Sequence, residues 1–115
     1  MNGKIEVQSQ IPEFQQDMKQ FVSYMEEEKN ASNSTVVSYQ RDLKKLFLYL
    51  DEKGIRRIGD ITSTNLNSYI LQMEKQGFSM SSVSRSVASM RAFFHYLFKV
   101  RKYGLHMLIR RYQRF

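Results

Sequence analysis

Apolar side chains recur along most of this chain at intervals of three and four residues, the spacing that gathers them on one face of an α-helix. The first stripe is Phe14, Met18, Phe21, Val22 and Met25. It predicts a helix over roughly residues 12–29, opened by Pro12, whose fixed φ suits a first helical turn. The polar run Glu26-Glu27-Glu28-Lys29 and then Asn30 close it. The segment Ala31-Ser32-Asn33-Ser34-Thr35 is a stop followed by a start. Ser32, Asn33 and Ser34 are each good N-caps, because a short side-chain oxygen can accept from the N–H groups that a new helix leaves unpaired. The second stripe holds Val36, Val37, Leu43, Leu46, Phe47 and Leu50 and ends at Gly54, a candidate left-handed cap. Ile55, Ile58 and Ile61 predict a short loop tucked against the core. Thr62 or Ser63 caps a third helix with Leu66, Tyr69, Ile70 and Met73 as its stripe, stopped by Gly77. Ser79 or Ser81 caps a fourth, which runs to about Val100 with Val83, Val87, Met90, Phe94 and Leu97 inward and Phe93 and Phe98 beside them. After Gly104 the chain is either a short fifth helix, with Leu105, Leu108, Ile109 and Tyr112 on one side, or a frayed basic tail.

No stretch alternates with period two, so the expected class is all-α, a bundle of four helices around one core, with a short fifth C-terminal helix as an option. Short turns between the helices fit packed neighbours. The expected division is a flexible leader over 1–11, one helical domain over 12–101, and a basic tail or start of a linker over 102–115.

Composition narrows the function classes. Apolar residues make up 42% and charged residues 25%, a globular balance. Without cysteine there can be no disulfide, thiolate metal site or cysteine nucleophile. His95 and His106 alone are too few for a convincing metal site, and neither a cofactor nor a small-molecule substrate is expected. The first ten residues lack the apolar core of a signal peptide, and no apolar run approaches the ~20 residues that span a bilayer. A cytoplasmic protein that does not enter the membrane is the expectation.

The net charge of +7 is unevenly spread. Residues 1–74 carry nine Lys/Arg against eleven Asp/Glu, whereas residues 75–115 carry nine Lys/Arg and no acid at all. Solubility does not require such a loss of acids. The basic third points to a polyanionic partner, a nucleic acid or an anionic membrane surface.

Three stretches, taken in order, resemble the core-binding domain of the tyrosine recombinases, the lambda-integrase family, and most closely its Xer-type members. The first is residues 21–55, with Phe21, Tyr24, Thr35, Tyr39, Asp42, Leu43, Phe47 and Leu50 in the family's places. The second is residues 61–79. The third is residues 79–98, where Ser82, Arg85, Ser89, Arg91, Phe93, Phe94, Tyr96 and Leu97 match. The resemblance implies a SAM-like, orthogonal four-helix module, the integrase N-terminal core-binding domain. Such a module clamps one face of duplex DNA with its second and fourth helices at the major groove, while a catalytic domain closes from the other side. Its implied partners are duplex DNA, the catalytic domain of the parent recombinase and neighbouring recombinase protomers. Two departures stand out. The Asn-Pro that usually follows the fourth helix is missing, and the catalytic domain, with its arginines, lysine, histidines and tyrosine nucleophile, is not in these residues. His106, Arg110 and Tyr112 are the right residue types, but the family's His-x-x-Arg spacing needs arginine at position 109, where Ile109 stands. No catalytic residue is therefore assigned, and the chain by itself is expected not to be an enzyme.

The residues give their own reason to look at the second and fourth helices. Both begin in clusters of hydroxyl side chains, and the N–H groups at a helix start carry partial positive charge that suits phosphate. On the second helix Thr35, Ser38, Arg41 and Lys45 fall on one expected face. On the fourth, Ser81, Ser82, Arg85 and Ser89 share an expected face away from Val83, Val87 and Met90, with Arg85 the candidate for a guanine contact through its planar fork. Arg91 is placed nearer the core, where it can pair with an acid such as Asp42 or reach DNA. A capping Thr35 and a merely solvated Arg/Lys face explain the same residues without DNA. Lys99, Arg101 and Lys102 can bind phosphate or simply face water, and Tyr39, Tyr69 and Tyr96 are expected in the core. A second class of function remains open. The chain could be a recombinase remnant that pairs with a helical protein through the apolar side of residues 103–115.

Overall fold

The structure, a computed structural model, describes residues 12–99. They form α1 (Pro12–Glu27), α2 (Asn33–Glu52), α3 (Ser63–Lys75) and α4 (Met80–Lys99), with a 3-10 turn at Ile58–Asp60. No strand occurs among the described residues, so the all-α class expected from the stripes is the class observed. The expected leader, the optional fifth helix, Arg101, Lys102 and the His106-Arg110-Tyr112 group lie outside the described residues. The helices fall into two compact units, one ending at Ile58 and the other starting at Gly59.

In the first unit α1 and α2 pack together. Pro12 begins α1, and Asn30 ends the turn that follows with φ 54°, a left-handed conformation that asparagine tolerates better than most residues. The Ala31 N–H donates back to the Met25 carbonyl at 2.9 Å across that turn. Phe14, Met18, Phe21 and Met25 are buried with Val36, Leu43, Leu46, Phe47, Tyr49 and Leu50. The Phe14 and Phe47 rings stack at 4.7 Å between centroids and 22° between planes. Gly54 stops α2 with φ 81°. There the Ile55 N–H donates to the Leu50 carbonyl at 2.9 Å and the Gly54 N–H to Asp51 at 3.0 Å, the paired bonds of a Schellman cap. Arg56 then reaches back to Asp51 at 3.3 Å.

In the second unit α3 and α4 pack together. Thr62 caps α3 in a reciprocal box. The Asn65 N–H donates to the Thr62 hydroxyl at 3.1 Å, and the Thr62 N–H donates to Asn65 Oδ1 at 2.8 Å. Gly77 repeats the Schellman cap with φ 88°, the Phe78 N–H donating to the Met73 carbonyl at 3.1 Å. Ile61, Leu66, Tyr69, Met73, Met90, Phe93, Phe94, Tyr96 and Leu97 are buried, and the Phe93 and Phe94 rings meet edge to face at 5.3 Å.

Two of the expected stripes turn. Val37 is exposed, because one position after Val36 the helix has already rotated by ~100°. On α4, Val83 and Val87 are only half-buried. The interior row runs instead through Ser86, Ser89, Met90, Phe93 and Leu97, so two serines take the N-terminal end of the buried stripe.

Candidate nucleic-acid interface

Helices α2 and α4 begin with the same local device. At α2 the N-cap Ser32 accepts from the Thr35 N–H at 3.2 Å and donates its own hydroxyl proton to Thr35 Oγ1 at 3.0 Å. At α4 Ser79 accepts from the Ser82 N–H at 3.1 Å and donates to Ser82 Oγ at 3.1 Å. The Val36 and Val83 N–H groups close on the Ser32 and Ser79 carbonyls at 3.1 Å and 3.0 Å, the first intrahelical bonds of the two helices. In each pair one orphan N–H is satisfied, and the second hydroxyl, already accepting, keeps its own proton for an outside acceptor. Donation along such a chain strengthens the last donor. Helix α3 differs, since the residue three after its cap is Asn65, whose side-chain oxygen accepts from the Thr62 backbone N–H in place of a hydroxyl pair.

Beyond the first turn the polarity is one-sided. On α2, Arg41 and Lys45 are exposed and Thr35 and Ser38 half-buried, and the face gains Lys44, which sequence periodicity had not singled out. The single acid between Asn33 and Leu50, Asp42, is buried, so Arg41, Lys44 and Lys45 have no exposed carboxylate among them; the exposed acid of α2, Glu52, comes at its last residue. On α4, Ser81, Arg85 and Arg91 are exposed and Ser82 half-buried. Arg91 therefore lies outward, not toward the core as its neighbours in sequence suggested. His95 and Lys99 continue the exposed row at four-residue steps from Arg91, and the whole helix contains no acid. The row from Arg91 to Lys99 covers ~12 Å at 1.5 Å per residue, and Arg85 stands about a third of a turn round the helix from Arg91.

Ser89 is a correction. It is 0% exposed, and its hydroxyl donates to the Ser86 carbonyl at 2.9 Å. A helical serine can satisfy itself on the preceding turn, so burial costs it little and its polarity does not force it to the surface. Its place in the expected groove-facing set falls away. Replacing Ser89 by alanine is expected to change stability by less than ~1 kcal/mol, whereas lysine there must cost ~3 kcal/mol or more by crowding and charge burial. Urea unfolding of the two variants checks this, and a well-tolerated lysine would show that the position is open.

No helix among the described residues is long and apolar enough to cross a membrane.

Comparison with known proteins bears on this geometry. Residues 18–100 match the family described as phage integrase, N-terminal SAM-like domain. A protein of Caldanaerobacter subterraneus subsp. tengcongensis named for the tyrosine recombinases is 35% identical over 83 residues, which cover 72% of this chain and 28% of that protein. Tyrosine recombinase XerC of Oceanobacillus iheyensis is 34% identical over 77 residues, 67% of this chain and 25% of its own length. XerC of Listeria welshimeri is 27% identical over 81 residues, 70% and 27% of the two chains. The matched part thus spans about a quarter of the relatives' length. No solved structure matches the chain.

Proposed function

Since the chain belongs to the phage integrase N-terminal SAM-like domain family, an N-terminal domain of tyrosine recombinases, we propose that it holds duplex DNA for site-specific recombination and that the strand-cleaving residues are not among its own. The observation that carries this is the repetition on α2 and α4 of one arrangement, a hydroxyl-capped start followed by outward cations, with no exposed acid before Glu52 on α2 and none on α4.

The division of labour follows from the chemistry of the side chains. Thr35, Ser38, Ser81 and Ser82 are short donors at or near helix starts, where phosphate oxygens are favoured by both the hydroxyls and the helix dipole. Arg41, Lys45 and Arg91 neutralise phosphates along the backbone, a contact that fixes position and carries no sequence information. Arg85 is assigned the base-reading role, its fork matching guanine O6 and N7. The catalytic domain of a full-length recombinase and neighbouring protomers are the protein partners in this reading. The rival reading, a remnant that pairs with a helical protein, rests on residues 103–115, outside the described set.

The test is a salt titration of the chain with duplex DNA. Neutralising ~4–6 phosphates makes affinity fall about 10²–10³-fold between ~50 and ~200 mM salt. A half-clamp of this kind is expected to bind at about micromolar strength or weaker. Affinity that stays within about threefold over that range of salt would dismiss the phosphate contacts.

A further inference from the structure

The outward side of α4 changes character along its length. Its second half exposes Arg91, His95 and Lys99 at four-residue steps, each ~6 Å from the next along the axis. His95 is the middle member and the one histidine among the described residues. At ~100° per residue it lies only ~20° round the helix from Ser84 and from Ala88, both exposed, so small side chains lead up to it along one line. Met80 and Arg85 flank that line at ~60° and ~80°. A surface that meets α4 along this line can therefore come close to the helix before it reaches the imidazole.

Histidine differs from the other two members of the row. Arginine and lysine stay cationic through the neutral range, whereas an imidazole gains or loses its charge there. Its side chain is also the shortest of the three, so it needs the close approach that Ser84 and Ala88 allow. A phosphate oxygen beside the ring favours the imidazolium, whose two nitrogens both donate, over the neutral ring, which has one donor. A row that sets such a group between two cations, on a helix without acids, fits the phosphates of a DNA strand. The charged groups that the other described elements of this unit contribute are Asp60, at the end of the 3-10 turn, and Glu74 and Lys75, the last two residues of α3, all exposed. Building on the DNA-holding function proposed above, we infer that His95 is a phosphate-binding residue that joins the row in its protonated form, so that seating DNA on α4 takes up a proton.

Fluorescence anisotropy with a mixed-sequence duplex, at about pH 8 and about pH 5.5 and over a range of salt, reads this linkage. The unaltered chain should bind about fivefold more tightly at the lower pH, the gain from one charge-assisted contact, and its slope of log affinity against log salt should steepen by about one phosphate. His95→Gln should stay near the weaker value at both pH values. His95→Lys should bind at about pH 8 as the unaltered chain does at about pH 5.5. His106→Gln, Asp60→Asn and Glu74→Gln should each keep the gain. A gain that survives His95→Gln, or that is missing from the unaltered chain while its binding still responds to salt, overturns the His95 assignment and leaves the DNA reading standing. So does a gain lost in any of the other three variants, or a lysine variant no tighter at about pH 8 than the glutamine one. Binding that ignores salt at both pH values, or no binding at either, overturns the underlying reading as well.

Discussion

Changing Arg41 and Arg85 together to glutamate is expected to weaken duplex DNA binding by about 100-fold or more at moderate salt while the helical content and melting temperature stay nearly unchanged. Each replacement removes one cation from the phosphate field and installs a like charge in its place, and juxtaposed like charges cost several kcal/mol at an interface. Both side chains are exposed, and surface substitutions of this kind usually alter stability by no more than ~0.5 kcal/mol. The single changes separate the roles. Arg41→Gln should lower affinity for all duplexes alike and reduce the salt slope by about one contact, whereas Arg85→Gln should flatten the preference among sequences. Fluorescence anisotropy on a panel of duplexes measures both. Undiminished binding by the double variant would mean that the cation faces of α2 and α4 have been given the wrong task.

Phe47→Ala is expected to cost ~3–5 kcal/mol, a large part of the ~5–15 kcal/mol that holds a domain of this size. Phe47 is almost wholly buried and stacked on Phe14, so truncation removes both the transferred apolar area and the ring contact joining α1 to α2. The cavity lies between two helices that pack chiefly through such side chains, which limits how far they can close on it. Phe47→Leu keeps most of the volume and should cost roughly half as much or less. Urea unfolding followed by circular dichroism gives the difference directly. A loss below ~1.5 kcal/mol for the alanine variant would show that the pair is not the joint of the first unit.

How much of this the sequence disclosed depends on which force fixes each feature. Helix ends were legible because caps are local chemistry. Ser32, Thr62 and Ser79 each had the right side chain within three residues of the N–H it satisfies, and Gly54 and Gly77 adopt the left-handed conformation that ends a helix. The faces of α2 and α4 were only half legible. Hydropathy placed Val83 and Val87 inward and Ser89 outward, yet Ser89 satisfies its hydroxyl on Ser86 and lies buried beside Met90 and Phe93. The row therefore shifts, and that shift carries Arg91, His95 and Lys99 outward together. The three- and four-residue steps back from Phe93, through Met90, Ser89 and Ser86, mark the same row in the sequence. Asp17 and Asp42 are buried acids, and residue type alone argues against such a place. Asp17 nonetheless sits three residues after Phe14 and four before Phe21, on the apolar stripe, which was the available signal. The hydroxyl and cation composition of the candidate interface could be read in advance. The exposure of Met80 could not, since a methionine after a cap is as compatible with a core as with a surface.

An amide-shift titration of the chain with duplex DNA goes to the centre of the account, because it reports residue by residue where the polyanion lands. The expected changes are largest at Thr35, Ser38 and Arg41 and at Ser81, Ser82 and Arg85, with little movement at Gln16 and Lys19 of α1 or Asn67 and Leu71 of α3. Changes concentrated on α1 or α3, with the hydroxyl-capped starts of α2 and α4 unmoved, would contradict it.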